Sequence, residues 1–229
     1  MNDLSGILLK NRNNFAAVVA FDPEKEKIIQ LHLDESNTAL KAVDINDTAA
    51  FSVYIDTLLR EQGARYAIGG YNENRSLYRR SKLFSGSEPR TLHLGTDIWG
   101  EAGTRVFSPL GGVVHSFSFN NQFGDYGATI VIQYQLEAKV FHVLYGHLSL
   151  KDISGLVEGK FINRGELIGH FGEAAENGNW PPHLHIQLIS DMRVHRGDYP
   201  GVCSLKEKDF YLANCPDPDL LLNMLKYTG

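Results

Sequence analysis

Only two cysteines, Cys203 and Cys215, occur in 229 residues. So few cannot build a disulfide framework, and two unpaired thiols in a reducing compartment are expected. Long apolar runs are missing as well: nothing approaches the ~20 residues of a membrane-spanning helix. The N-terminal stretch MNDLSGILLKNRNNFAAVVAFD is interrupted by Lys10, Asn11, Arg12, Asn13 and Asn14 before it reaches secretory length. No membrane span is therefore expected, and a cytoplasmic location follows, with export by another route left open. Charge of one sign is scarce too. A formal net charge of −5 gives no reason to expect nucleic acid or an anionic membrane as partner. Internal repeats and low-complexity segments are absent.

What is present is the composition of an ordinary globular protein, 43% hydrophobic and 21% charged. Ten Tyr and twelve Phe favour a β-rich interior. Near the N-terminus, FAAVVAFD (15–22) and KIIQLHLD (27–34) are β-prone runs joined by the turn-forming Asp22-Pro23-Glu24-Lys25, which predicts a hairpin. In NDTAAFSVYIDTLLREQG, Phe51, Tyr54, Ile55, Leu58 and Leu59 recur at helical spacing. Asp47 is placed to cap that helix and Gly63 to stop it. Residues 1–66 therefore read as a small α/β element of their own, followed by a second domain at 67–229. A connector rich in Asn, Arg and Tyr opens that domain. Its Arg75, Arg79, Arg80 and Lys82 either face solvent or line a groove.

From residue 91 to 191 short β-prone runs alternate with Gly-containing turns: TLHLGTDIWG, TRVFSPLGGVVHSFSF, YGATIVIQYQ, KVFHVLYGHLS, INRGELIGHFG and HLHIQLIS. Strands this short and frequent predict a mainly β, antiparallel core. A short C-terminal helix is expected in CPDPDLLLNMLKY, where Asp217 can cap and Pro218 suits a first helical position.

Three segments of this core carry chemistry. In WPPHLHIQL, alternation along a strand puts His183, His185 and Gln187 on one face and Leu184, Ile186 and Leu188 on the other. In HLGTD, His93 and Asp97 are four apart, with Gly95 between them leaving room for a close approach. In LYGHLS, His147 follows Gly146 at the end of a strand, at the rim of a sheet. Histidine and carboxylate together form an N/O donor set suited to zinc. A catalytic zinc keeps three protein ligands and one open position. Four imidazoles and one carboxylate thus divide into three ligands and two acid–base groups. No H-E-x-x-H is present, so no helix-borne glutamate serves as base.

The order H-x-x-x-D, then Y-G-H-L, then H-x-H resembles the lysostaphin-type, or LytM-like, zinc metallopeptidases, which cut peptide bonds in bacterial peptidoglycan. GTRVFSPLGGVV, YGATIVIQY and GKFINRGELIGHFG are similar to the stretches of that family between its motifs, over roughly residues 92–187. The resemblance implies an antiparallel β catalytic core with one Zn2+ per chain held by His93, Asp97 and His185. It makes His147 and His183 the catalytic pair and the chain a zinc-dependent endopeptidase acting on peptidoglycan cross-links or related Gly- or D-Ala-containing peptides. Imidazole, with a pKa of ~6.5, suits the proton transfers. The tyrosine such enzymes often carry shortly before the first motif is replaced by Ser85, Gly86 and Ser87. Tyr71 or Tyr78 is the expected substitute at the substrate, and Trp180 is expected to wall one end of the cleft. The chain is compatible with a monomer.

Two other readings compete. Two histidines and a carboxylate on a β core also describe non-haem iron and cupin-type enzymes. Those usually space the first pair as H-x-D, unlike His93 and Asp97. A LytM-like binding or scaffold protein without catalysis is the second, disfavoured by the presence of all five motif residues. His32, His115 and His142 are expected to be structural, His170 and His195 are ambiguous, and Glu173 and Glu176 are expected to lie in a solvated loop.

Overall fold

In the computed structural model, which describes residues 4–75, 77–78, 81–84 and 88–228, the β-prone runs become twelve strands. These are β1 (Ile28–Gln30), β2 (Tyr66–Gly69), β3 (Leu92–His93), β4 (Thr96–Trp99), β5 (Arg105–Phe107) and β6 (Gly112–Asn120). They continue with β7 (Gly127–Leu136), β8 (Lys139–Leu148), β9 (Phe161–Ile162), β10 (Leu167–His170), β11 (His183–Ile189) and β12 (Val202–Cys203). Five helices accompany them: α1 (Leu4–Asn11), α2 (Thr48–Gln62), α3 (Leu150–Ile153), α4 (Lys208–Asn214) and α5 (Asp219–Leu222).

Eight strands form one sheet in the order β1-β2-β4-β11-β8-β7-β6-β9. Every described pairing is antiparallel except β1 with β2. The mainly β, antiparallel core read from residues 91–191 is the one observed. Alternation works as expected at its centre: Leu184, Ile186 and Leu188 of β11 join Phe141, Val143 and Tyr145 of β8 in the main apolar cluster. The opposite face of β11 carries the polar residues. Both faces of this strand are covered, which makes its register unforgiving, because a slip of one residue would turn the histidines into the apolar core.

The N-terminal hairpin does not form. Phe15–Asp22 is not a strand, and its Val19 bridges Val106. Val18 accepts from the Phe107 N–H at 2.8 Å, so this run zips onto β5. Only Ile28–Gln30 is extended as a strand, and it pairs in parallel with β2. Nor is residue 66 a structural boundary. The sheet runs across it, and Leu8, Val18 and Ile28 share the cluster of Leu184 and Ile186. The reason is apolar area: a three-residue strand and a short helix cannot bury their own faces and take cover on the larger sheet.

Helix α2 matches its signals closely. Asp47 accepts from the N–H groups of Ala49 and Ala50, and Gly63 ends the helix in the left-handed region with φ 58°. Its buried stripe of Phe51, Ile55 and Leu59 packs in a second cluster with Leu31, Leu33, Trp99 and Trp180. At the C-terminus Asp217 accepts from the Asp219 N–H at 2.8 Å, but the helix stops after one turn at Asn223, which has φ 52°. Cys203 and Cys215 are buried and unpaired. No described helix is long and apolar enough to cross a membrane.

Candidate metal centre

Two neighbouring strands deliver two of the three ligand candidates. On β4, Asp97 stands opposite His185 of β11, and Trp99 stands opposite His183. His93 comes from the end of β3, where the chain turns through Leu94 and Gly95 before β4 begins. The glycine has a steric reason: a Cβ at residue 95 would lie 2.4 Å from the His185 ring. What approaches the backbone there is the second ligand itself.

His147 reaches the same face by a different device. In β8, Phe141, Val143 and Tyr145 point into the main core, so strict alternation would send residue 147 there too. Instead His147 has φ 60°, a left-handed conformation that is uncommon for a non-glycine residue. The turn brings its ring to 4.1 Å from that of His183, centroid to centroid. Its amide donates to the Tyr126 carbonyl at 2.7 Å, and its carbonyl accepts from Gly172 at 2.8 Å.

The five motif side chains converge on one place. Nε2 of His93 lies 2.9 Å from Nδ1 of His185, and Oδ1 of Asp97 lies 3.4 Å from the first and 3.2 Å from the second. A tetrahedral ion with bonds of ~2.0–2.1 Å holds its neighbouring ligand atoms ~3.3 Å apart. The outer ring nitrogens fix the tautomers. Nδ1 of His93 faces the Gly70 carbonyl at 2.9 Å and must donate to it. Nε2 of His185 faces Oε1 of Gln187 at 3.0 Å, while the Gln187 amide nitrogen donates to Pro200 and Cys215, which leaves the oxygen as acceptor. Both inward nitrogens therefore carry lone pairs, and the donor set fits a borderline divalent ion. His147 and His183 are arranged alike. Their Nδ1 atoms donate to the carbonyls of Asn177 and Pro181, at 2.7 and 2.8 Å, which leaves Nε2 of each free of its proton.

Burial sets the electrostatics. It pushes His93 and His183 down to about 4 and His147 well below its ordinary value, with neighbouring Arg75 adding to the effect at His93 and His183 adding to it at His147. Burial works to raise the Asp97 carboxyl, yet His93 and Arg75 beside it hold it well below the usual carboxylate range. His183 is stacked on Trp99, 3.9 Å between centroids at 17°, and Phe51 of α2 packs behind that indole at 5.9 Å. The N-terminal segment thus braces the site from below.

Above these residues lies a cavity of about 390 Å³, lined by Tyr78, Phe84, Phe119, Tyr126, Trp180 and Asp125 among others. Trp180 does form a wall, with its ring edge-on to Tyr78, His147 and His183. Tyr78 also faces the cavity, 6.1 Å from His93 between centroids. Tyr71 is not brought there. Its hydroxyl donates to the Cys215 carbonyl at 2.8 Å, and burial against that C-terminal segment pushes it up to about 12. His195 lines the cavity, whereas Glu176 caps the amide of Leu150. Of the basic connector, Arg79 and Arg80 lie outside the described residues; Arg75 is fully buried against Asp97.

Several contributors carry no motif. Asn177 ties the loop before β11 through its side chain to Gly172 and Trp180, and Tyr126 packs on both His147 and His185. The Asn-Gly pair at 177–178 signals a turn, but nothing in the spacing says that its carbonyl orients a histidine. Among the described residues one other trio converges, His32, Asp34 and Glu73. Its His32 is half-exposed and Glu73 is already engaged by Arg75.

Residues 91–196 match the model of peptidase family M23. No curated protein matches the chain. Among solved structures, a zinc-containing peptidase from Vibrio cholerae is 27% identical over 43% of this chain and 27% of its own, with a TM-score of 0.34. Csd3 of Helicobacter pylori is 25% identical over 55% and 32%, with a TM-score of 0.35. The catalytic domain of the antimicrobial peptidase lysostaphin from Staphylococcus simulans is 18% identical over 70% and 96%, with a TM-score of 0.40. This chain spans about a third or less of the length of the first two. Residues 91–196, which hold all five motif residues, are thus similar to peptidase family M23.

Proposed function

We propose that the chain is a zinc-dependent endopeptidase that hydrolyses peptide bonds in peptidoglycan cross-links or in related peptides containing Gly or D-Ala. One observation supports this above the rest. Lone pairs on His93, Asp97 and His185 face one another across 2.9–3.4 Å, with the ring protons committed to the outer partners. Three acceptors so close in a buried place repel one another unless a cation lies among them. Zinc held there would acidify a water molecule towards a pKa of ~7 and polarise the scissile carbonyl.

The remaining chemistry belongs to the chain. Nε2 of His147 and Nε2 of His183 are the unprotonated ring atoms at the cavity floor, and their outer nitrogens are pinned by backbone carbonyls. One accepts the proton of the attacking water, and the pair delivers a proton to the departing amine. Holding both rings by their Nδ1 protons keeps the tautomer correct through the cycle. The aromatic side chains of Tyr78, Trp180 and Tyr126 line a cavity with room for a short extended peptide. Peptidoglycan as the source of that peptide rests on the resemblance of the motifs to the lysostaphin-type enzymes.

Digestion of purified peptidoglycan and of a pentaglycine peptide, with and without chelator, tests the reading by mass analysis of the fragments. New amine and carboxyl ends that disappear with chelator and return with zinc are expected. A zinc-loaded, folded protein that binds peptidoglycan but cuts neither substrate would instead be a scaffold. Oxygen-dependent turnover with bound iron would place the site in the other metalloenzyme class.

A further inference from the structure

Arg75 is the only described cation touching the ligand set, and it lies deeper than any solvated connector residue should. Its side chain is 2% exposed. Nη1 donates to Oδ2 of Asp97 at 2.6 Å and to the Tyr78 hydroxyl at 3.2 Å, and Nε donates to Oε2 of Glu73 at 2.6 Å. Its backbone N–H is held by the Thr91 carbonyl at 2.8 Å. Space for the guanidinium depends on Gly70, which has φ 100° and at which a Cβ would lie 1.8 Å from Nη2. The Gly70 carbonyl also receives the Nδ1 proton of His93. One backbone position thus serves a ligand and the residue behind another ligand.

We propose that Arg75 is a positioning residue of the metal centre, which engages Oδ2 of Asp97 so that this carboxylate offers only Oδ1 to the ion. The inference rests on the metal-centre reading above. Oδ1 is the oxygen that faces His93 and His185, and it is also the one nearest Nε2 of His183, at 4.0 Å. A buried carboxylate with both oxygens free can swing and take a metal through two atoms, filling the position a catalytic zinc keeps open. A guanidinium anchored through Nε on Glu73 and through Nη1 on the Tyr78 hydroxyl prevents this, because its rigid plane keeps the Nη1 donor on Oδ2. The accompanying Glu73 matters for the balance. Arg75 and Glu73 are opposite charges in contact, so the pin adds little net repulsion to a divalent ion nearby. A lysine at this position would supply a point charge that cannot hold Glu73 and Asp97 from one rigid plane.

The test uses the full chain, loaded with zinc for affinity and with Co(II) for coordination. Compared are the wild type, Arg75→Lys, and the double variant Glu73→Gln/Arg75→Met, which removes the Arg75–Glu73 ion pair as a unit. Metal-free melting establishes that each is folded. For the double variant the visible absorption of bound Co(II) is expected to weaken, as the carboxylate adds a second oxygen and coordination rises above four. Its zinc affinity, by competition with a chromophoric chelator, is expected to fall ~10–100-fold, the range typical of lost outer partners. Arg75→Lys should fall between the two. A Co(II) spectrum and zinc affinity equal to wild type in folded Glu73→Gln/Arg75→Met overturns the assignment. Should that variant not fold, an unchanged spectrum and affinity in Arg75→Lys overturns it equally. A wild type that binds neither ion overturns the metal-centre reading itself, and the role of Arg75 with it.

Discussion

Two pairs of histidines meet edge to face in this protein with nearly the same geometry. The rings of His93 and His185 are 4.8 Å apart at 71°, and those of His115 and His142 are 4.9 Å apart at 77°. Only the first pair is a candidate centre. It has a carboxylate between its nitrogens, and both outer nitrogens have acceptors. The second pair, on β6 and β8, has no such third donor. His115 meets Ser116 at 2.8 Å through Nδ1, and Nδ1 of His142 is buried without a hydrogen-bond partner. Proximity of imidazoles is therefore not what distinguishes a metal site. The third donor and the outer partners are, because they decide which atom of each ring carries the lone pair.

The sharpest way to break the comparison is to delete one ring from each pair. His185→Ala is expected to abolish measurable zinc binding, a larger loss than the ~10–100-fold expected of an outer partner, whereas His142→Ala should leave zinc affinity unchanged. Equal effects, read by chelator competition, would sink the distinction. A second variant sharpens the roles inside the front site. His147→Ala is expected to keep its zinc while hydrolysis of the pentaglycine peptide falls ~10²–10⁴-fold, the range for a lost general acid–base group. Loss of zinc together with activity would make His147 a ligand instead.

How much of this could be read beforehand differs between the two halves of the chain. His183, His185 and Gln187 were legible as one face because strand alternation is a two-residue rule that needs no partner. Helix α2 was legible because both of its ends are signalled by local chemistry, Asp47 and Gly63. His147 was legible only through motif order, since the simple alternation of β8 points it the wrong way and its positive φ is fixed by Tyr126 and Gly172, both distant in sequence. The hairpin at 15–34 failed because local strand propensity was overruled by a better partner, β5, almost ninety residues along the chain. Arg75 was the least legible of all. A cation in a run of arginines reads as solvated, and nothing near residue 75 announces that Asp97 and Glu73 will enclose it.

The smallest expected effect comes from the second pair and concerns stability. Burial, followed by the neighbouring His115, lowers His142 to about 4, and His115 is itself lowered by burial and by Arg196. Asp191 on the neighbouring loop and Glu158 beside Arg196 act in the opposite sense, but neither restores the ordinary value. An unfolded histidine titrates near ~6.5. Between about 4 and that value the unfolded chain binds a proton at His142 that the folded chain does not. Stability from this residue is therefore complete above the unfolded pKa and is lost as the pH falls towards the folded one, with a slope of at most ~1.4 kcal/mol per pH unit. Partial solvent access to the ring reduces that slope. His142→Gln should flatten the dependence of the urea midpoint on pH between 4.5 and 6.5 in chelator-treated protein, and leave the midpoint at pH 7.5 little changed. Parallel curves for the two proteins across that window would mean that the back pair titrates freely in the folded state, and that its resemblance to the front pair ends at the geometry of the rings.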